Sequence, residues 1–256
     1  MTARVRLRNL AVAAPLALAL TLGATAPGAG AAPLQETPAT EVPTTAAPAP
    51  APAPAGPVTL FYLPLSGPDL AKGQHSAEVF LMQIHLVLRG YHIQDFPGAF
   101  GESTRHALTA FQKYHLLPRS GVLDPLSRFI LGASLERVTP SFPTLGRNIE
   151  VDINRQIMIV STNGVTDWVF DVSTGKSSTP TPRGSYRIQR EINGLRVARL
   201  GRLWRPKYFH GGYAFHGYPS VPNYNASSGC VRMYNPDIDM LWASGLAPVG
   251  TPVRIF

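Results

Sequence analysis

Cys230 is the one cysteine among 256 residues, and it lies in Ser227-Ser228-Gly229-Cys230-Val231-Arg232, fourteen residues after His216. A free thiol ionises near pH ~8.5, and its anion is a strong nucleophile. A neighbouring imidazole can take the proton, and a nearby guanidinium such as Arg232 favours the anion. Gly229 lets the backbone come close to a bound carbonyl. The N–H groups of Gly229 and Cys230, with Ser228 beside them, can point at an oxyanion as it develops. These residue types suit covalent acyl transfer. A structural cysteine packed against a core histidine would use the same pair, but it leaves Gly-Cys-x-Arg and His216-Gly217 without a reason.

The elements around this set must bring two segments together. Tyr213–His216 reads as a strand with Tyr213 and Phe215 on one face and Ala214 and His216 on the other. The stretch from Tyr218 to Ser228 holds Pro219, Pro222, Asn223, Asn225 and three serines, a loop composition. If Gly229–Met233 is extended, Cys230 and Arg232 share a face, and chain return places His216 beside Cys230. Upstream, Asn148–Ile153, Gln156–Ser161 and Val165–Val172 read as strands, with turns at Asn154-Arg155 and Asn163-Gly164. Short strands at this spacing indicate a sandwich or barrel. Asn235-Pro236-Asp237 reads as a helix start, with Ile238, Leu241 and Trp242 inward and Asp237 and Asp239 as helix-start charges. His210-Gly211 is a second His-Gly pair, six residues before His216 and on the same face if the strand is regular. It is either a pocket wall or a surface residue. Tyr218, Tyr224 and Trp204 are cleft or loop-packing candidates. One cysteine excludes a disulfide framework, and no carboxylate in the stretch completes a two-His metal site. No metal or other cofactor is expected.

This region resembles the L,D-transpeptidase (YkuD-like) catalytic domain over about residues 147–256. The resemblance rests on His216-Gly217 followed by Ser227-Ser228-Gly229-Cys230-Val231-Arg232. Asp152…Gln156, Ser173-Thr174-Gly175-Lys176, Thr181-Pro182-Arg183-Gly184 and Gly250-Thr251-Pro252-Val253 support it. It implies a β-sandwich capped by a short helix, Cys230 as acylated nucleophile and His216 as its base. It also implies that the Gly217 carbonyl orients the imidazole and that Arg232 holds substrate or loop. Ser227, Tyr218 and His210 are candidate substrate contacts. Many members carry His where this chain has Ser228. The implied reaction is attack on the L,D-amide of a tetrapeptide stem, loss of D-Ala, and transfer of the acyl group to an amine as a third-to-third cross-link. Acylation by carbapenem-type inhibitors follows from the same resemblance. Water as acceptor would make the protein an L,D-carboxypeptidase. A papain-like endopeptidase is disfavoured, because there the cysteine usually precedes the histidine. A non-catalytic peptidoglycan-binding protein is the reading from a different class.

Upstream lies a helical segment. Val79, Met82, Leu86 and Val87 have helical spacing, and Arg89-Gly90 stops that helix. A second helix should begin near Ser103 or Thr104 with Leu108 and Phe111 inward. Asp124-Pro125 caps a third, which carries Leu126, Phe129 and Ile130. From about residue 75 to 131 the punctuation resembles the small three-helix peptidoglycan-binding domain. The expected organisation is therefore mixed: a leader over 1–31, a Pro/Ala-rich linker over 32–57, a helical domain over 58–141 and a mainly β domain over 142–256. In the leader, Arg4, Arg6 and Arg8 precede an apolar run from Leu10 to Leu22 and small residues ending at Ala32, a secretory pattern. Export across the cytoplasmic membrane to the wall or periplasm is the expectation. The linker's run of alternating Ala and Pro favours extended polyproline II.

The net charge is +8, of which +6 falls within 142–256. Seven arginines and Lys207 lie between Arg183 and Lys207, with Glu191 as the one acid among them. Such a stretch is either a solvated hairpin face or an attractor for an anionic polymer or carboxylate-bearing substrate. Peptidoglycan is the expected partner. Nucleic acid is disfavoured, since no stacking or groove-reading motif accompanies the charge, and no obligate protein partner is expected.

Overall fold

In the computed structural model, which describes residues 63, 66–198 and 201–256, Ser76 opens helix α1 (Ala77–Leu88) by accepting the Val79 N–H at 3.1 Å. The leader and the Ala-Pro linker lie outside the described residues. Helix α2 (Glu102–Tyr114) begins just before the expected start. Its cap comes from a distance: Asp95 Oδ2 accepts the Thr104 N–H at 2.6 Å. A Cβ on Gly101 would overlap that carboxylate. Helix α3 (Pro125–Ala133) begins as expected, with Asp124 accepting the Ser127 N–H at 2.7 Å.

The inward faces differ in part from the expected ones. Val79, Met82, Leu86, Leu108 and Phe111 are buried, but Val87 is exposed. On α3 the buried residues are Ser127, Arg128 and Leu131, while Leu126 and Phe129 face solvent. The Arg128 guanidinium turns the helix inward by donating to the Pro68 carbonyl at 2.6 Å, a buried polar contact that apolar periodicity does not register.

Ten strands follow among the described residues. Strands β1 (Arg147–Asp152), β2 (Ile157–Thr162) and β3 (Val165–Ser173) form an antiparallel meander. The β2–β3 turn uses Asn163 and Gly164 at φ 52° and 78°. Next come β4 (Gly184–Arg187), β5 (Arg190–Glu191), β6 (Leu195–Ala198), β7 (Gly201–His210) and β8 (Tyr213–Tyr218). Then β9 (Val231–Tyr234), helix α4 (Asn235–Ser244) and β10 (Pro252–Ile255) complete the chain. The strand order is β4-β10-β1-β2-β3-β9-β8-β7-β5, with β6 paired to β7. This continuous sheet curls, so that its two halves enclose one core as the layers of a sandwich do. Ile149, Met158 and Phe170 come from one half, Phe209, Phe215 and Val231 from the other, and Ile238 and Leu241 from α4. The fold is thus mixed, a small helical part and a mainly β part.

The helices do not hang free of the sheet. Their core includes Ile157, Ile159 and Val169 of β2 and β3. The Val169 N–H donates to the Gly90 carbonyl at 2.8 Å. Asp171 of β3 is buried between Lys113 and His106 of α2, with His106 Nδ1 at 2.6 Å from Oδ2. Burial alone would raise the Asp171 pKa, but Lys113 and His106 hold the carboxyl below its usual range. A removable partner in such a buried set leaves an uncompensated charge. Asp237 is more than a helix-start charge: it is buried against His92 Nδ1 at 2.7 Å. Asp239 accepts from Trp204 Nε1 at 2.8 Å and from Arg205 at 2.9 Å.

Candidate active site

Strands β8 and β9 run parallel, with Phe215 opposite Val231 and His216 opposite Arg232. Phe215, Val231 and Met233 enter the core, so His216, Cys230 and Arg232 turn the other way. They line one tight pocket of about 40 Å³ together with Tyr218, Ser227, Ser228 and the segment Gly201-Arg202-Leu203 of β7. Cys230 sits one residue before β9 and is half-buried.

His216 is buried, and its Nδ1 lies 2.9 Å from the Gly217 carbonyl oxygen. That geometry places the proton on Nδ1 and leaves Nε2 as the free base. Burial lowers the imidazole pKa to about 4; the Gly217 bond opposes the shift and the Arg232 charge adds to it. Burial likewise raises the Cys230 thiol, while a hydrogen bond from the Ala214 backbone and the Arg232 charge work against that rise. At neutral pH the resting site is therefore a neutral thiol beside a neutral imidazole. In this state the thiol donates to the Gly212 carbonyl at 3.8 Å. Arg232 stacks on the Tyr218 ring, 4.3 Å from its centroid.

Gly217 must be glycine. A Cβ there would come within 2.6 Å of Asn235 Oδ1 and 2.8 Å of Ile238 Cγ2, so β8 packs on α4 only without one. Gly229 has φ 109°, and an added Cβ would overlap the Tyr213 ring. Its close approach is thus to Tyr213. Nor is its N–H free for an oxyanion, because it donates to Ser227 Oγ at 3.1 Å. Ser227 in turn donates to the Cys230 carbonyl. Ser227 is buried and serves the loop's own shape; Ser228 and Cys230 remain as the oxyanion candidates at the pocket.

His210 does not share a strand with His216. The chain turns at Gly211-Gly212, and His210 ends β7, exposed and stacked at 6.1 Å on Tyr213. It is absent from the pocket wall. A glycine pair is the turn signal that outweighs strand periodicity there. Tyr218 lines the pocket, Trp204 lines an adjoining cavity, and Tyr224 lines neither.

Three supports were not singled out as site residues from the sequence. Thr181 Oγ1 donates to the Gly229 carbonyl at 2.8 Å and accepts the Gly175 N–H at 2.9 Å. Thr174 accepts the Ala226 and Ser227 N–H groups, both at 3.0 Å. Tyr213 fills the space under Gly229. The signal for the first two was present in the Thr-Gly and Thr-Pro pieces, whose spacing brings two loops against Ser227–Gly229.

The L,D-transpeptidase catalytic domain (YkuD) matches residues 146–255, and the peptidoglycan binding domain matches residues 75–127. YkuD of Bacillus subtilis (strain 168), named as an L,D-transpeptidase, is 30% identical over 133 residues, 49% of this chain and 77% of that protein. The chain belongs to the L,D-transpeptidase family. The crystal structure of the L,D-transpeptidase from Xylanimonas cellulosilytica DSM 15894 (residues 123–326) is similar at 35% identity and a TM-score of 0.71. That match covers 75% of this chain and all of that one. An L,D-transpeptidase of this family is a peptidoglycan-modifying acyltransferase, and the pocket at Cys230 and His216 is where this chain gathers groups suited to acyl transfer.

Proposed function

We propose that the protein is an exported cysteine L,D-transpeptidase that forms third-to-third cross-links in peptidoglycan through a thioester on Cys230. The observation that carries this reading is the shared pocket of Cys230 and a His216 whose Nδ1 is held by Gly217, leaving Nε2 free.

The chemistry proceeds in two halves. In the first, Sγ attacks the carbonyl of the third stem residue while its proton passes to His216 Nε2. The tetrahedral adduct collapses with cleavage of the C–N bond, and Nε2 returns the proton to the departing D-Ala amine. In the second, the amine of another stem attacks the thioester and gives a proton to Nε2. The C–S bond breaks, and the thiol is regenerated with that proton. Backbone donors at Ser228 and Cys230 face the oxyanion in both halves; one such donor is typically worth about 10²–10³ in rate. Arg232 favours the anion on sulfur and keeps the imidazole neutral. No step needs a metal or a nucleotide. The helical part supplies contact with the polymer, and the leader and linker suit a protein exported into the wall.

The test is incubation of wild type and Cys230→Ala with purified tetrapeptide muropeptides, followed by mass spectrometry. Wild type should release D-Ala and form dimers, and Cys230→Ala should do neither. Monomeric tripeptide without dimers identifies a carboxypeptidase. Sacculus binding with no turnover, in the presence of an active control enzyme, identifies a binding protein. A carbapenem should add its own mass to wild type alone.

A further inference from the structure

A second cavity shares Cys230 and Leu203 with the first but is not lined by His216. It encloses about 280 Å³ and is lined by Arg190, Arg196, Leu203, Tyr208, Gly212 and Cys230, with Ala198 beside them. Its wall carries two guanidinium groups and no carboxylate. The Arg190 guanidinium lies flat on Tyr208, 3.4 Å from the ring centroid, which fixes its place and leaves its N–H edge to a ligand. The acids near this stretch are already engaged: Glu191 with Lys207 at 2.6 Å and Asp239 with Arg205 at 2.9 Å.

Proton traffic says which part of a substrate lies there. The leaving amine must take its proton from His216, so the leaving group occupies the His216 side of the sulfur. The retained acyl part then leads away from His216, and the arginine-lined cavity meets Cys230 without His216. Resting on the acyl-transfer reading above for that assignment of sides, we propose that Arg190 and Arg196 bind a free carboxylate on the retained portion of the donor stem, so that the enzyme distinguishes a carboxylate there from a carboxamide. A stem peptide can present one at its second residue or on the side chain of its third, and both are one chemistry for a guanidinium pair.

The experiment uses four synthetic tetrapeptides: free acid at both positions, amidated at each in turn, and amidated at both. Binding to the full chain carrying Cys230→Ala is measured by calorimetry, and D-Ala release by wild type is measured in parallel. The free-acid stem should bind about ten- to a hundredfold tighter than the doubly amidated one, the worth of a charge-assisted hydrogen bond. The two singly amidated stems tell which position carries the contact. Adding Arg190→Gln with Arg196→Gln, both at exposed sites, should bring the ratio close to one. Equal binding of all four stems overturns the proposal, as does a preference that survives the double substitution. D-Ala release with equal binding sinks the carboxylate site alone. Discriminating binding with no release from any stem sinks the transpeptidase reading and leaves the carboxylate site standing.

Discussion

The imidazole at this site should titrate far below an ordinary histidine, and the reaction should follow it. His216 is 5% exposed, and burial with the Arg232 charge takes its pKa from 6.5 to about 4. One pH unit corresponds to about 1.4 kcal/mol, so the fold prefers the neutral ring by roughly 3 kcal/mol. Between pH 6.5 and about 4 the unfolded chain takes up a proton that folded His216 refuses. The group's contribution to stability is therefore complete above the higher value and is lost as pH falls toward the lower one. Activity depends on the folded value. Acylation of Cys230 by a carbapenem, followed by intact mass across buffers, should stay level from neutral pH down to about 5 and reach half its rate near 4. Nuclear magnetic resonance of the ring, assigned with His216→Gln, should show a midpoint at the same acidity. Arg232→Gln should move both midpoints upward, because it removes one of the charges that disfavour the imidazolium. A midpoint near 6.5, or an imidazolium signal at neutral pH paired with a thiolate, would refute the neutral resting pair and the reasoning that derives it from burial.

Three further outcomes follow from the contacts around the pocket. Gly229→Ala forces a Cβ into the Tyr213 ring at φ 109°; it should cost about 1–3 kcal/mol in thermal melts and slow carbapenem acylation more than tenfold. Thr181→Val keeps the shape but strands the Gly175 N–H and removes a donor to the Gly229 carbonyl; a loss of about 1–3 kcal/mol is expected in denaturant titrations. Lys113→Met leaves the buried Asp171 with His106 alone and should destabilise by about 3–5 kcal/mol. Adding Asp171→Leu should recover part of that loss; a double variant no more stable than the single one would argue against an ionised Asp171.

What could be read from residue order was chemistry and local geometry. The His216-Gly217 and Gly229-Cys230-x-Arg232 pieces have face alternation that the parallel β8–β9 register preserves. Turn residues at Asn163-Gly164 and the Asp124-Pro125 cap act over four residues or fewer, so they were legible too. The misses came from contacts distant in sequence. Gly229 was expected to admit a substrate carbonyl, and the space is taken by Tyr213, sixteen residues away. Asp237 does sit in the first turn of α4, as its place in the sequence indicates, but its partner His92 lies 145 residues upstream. On α3 the apolar Leu126 and Phe129 face solvent, and Arg128 turns inward to reach the Pro68 carbonyl, sixty residues upstream. Of the two places open to His210, pocket wall or surface, the Gly211-Gly212 turn gives it the surface.

The buried contacts between α2 and β3 bear on how the two parts act together. Lys113 and His106 grip Asp171, and the next residues of that strand, Val172 and Ser173, pair with Met233 and Arg232 of β9. His106 also stacks on Tyr234 at the end of β9, with ring centroids 4.7 Å apart. The helical part thus reaches the strand that carries Arg232 through one shared carboxylate and one shared ring. A helical part on a free tether would raise the local concentration of stems without selecting their direction. One joined through a shared apolar core and a buried charge would present bound polymer at a set angle to the pocket, so weakening that junction should reduce turnover on intact sacculi more than acylation by a small carbapenem.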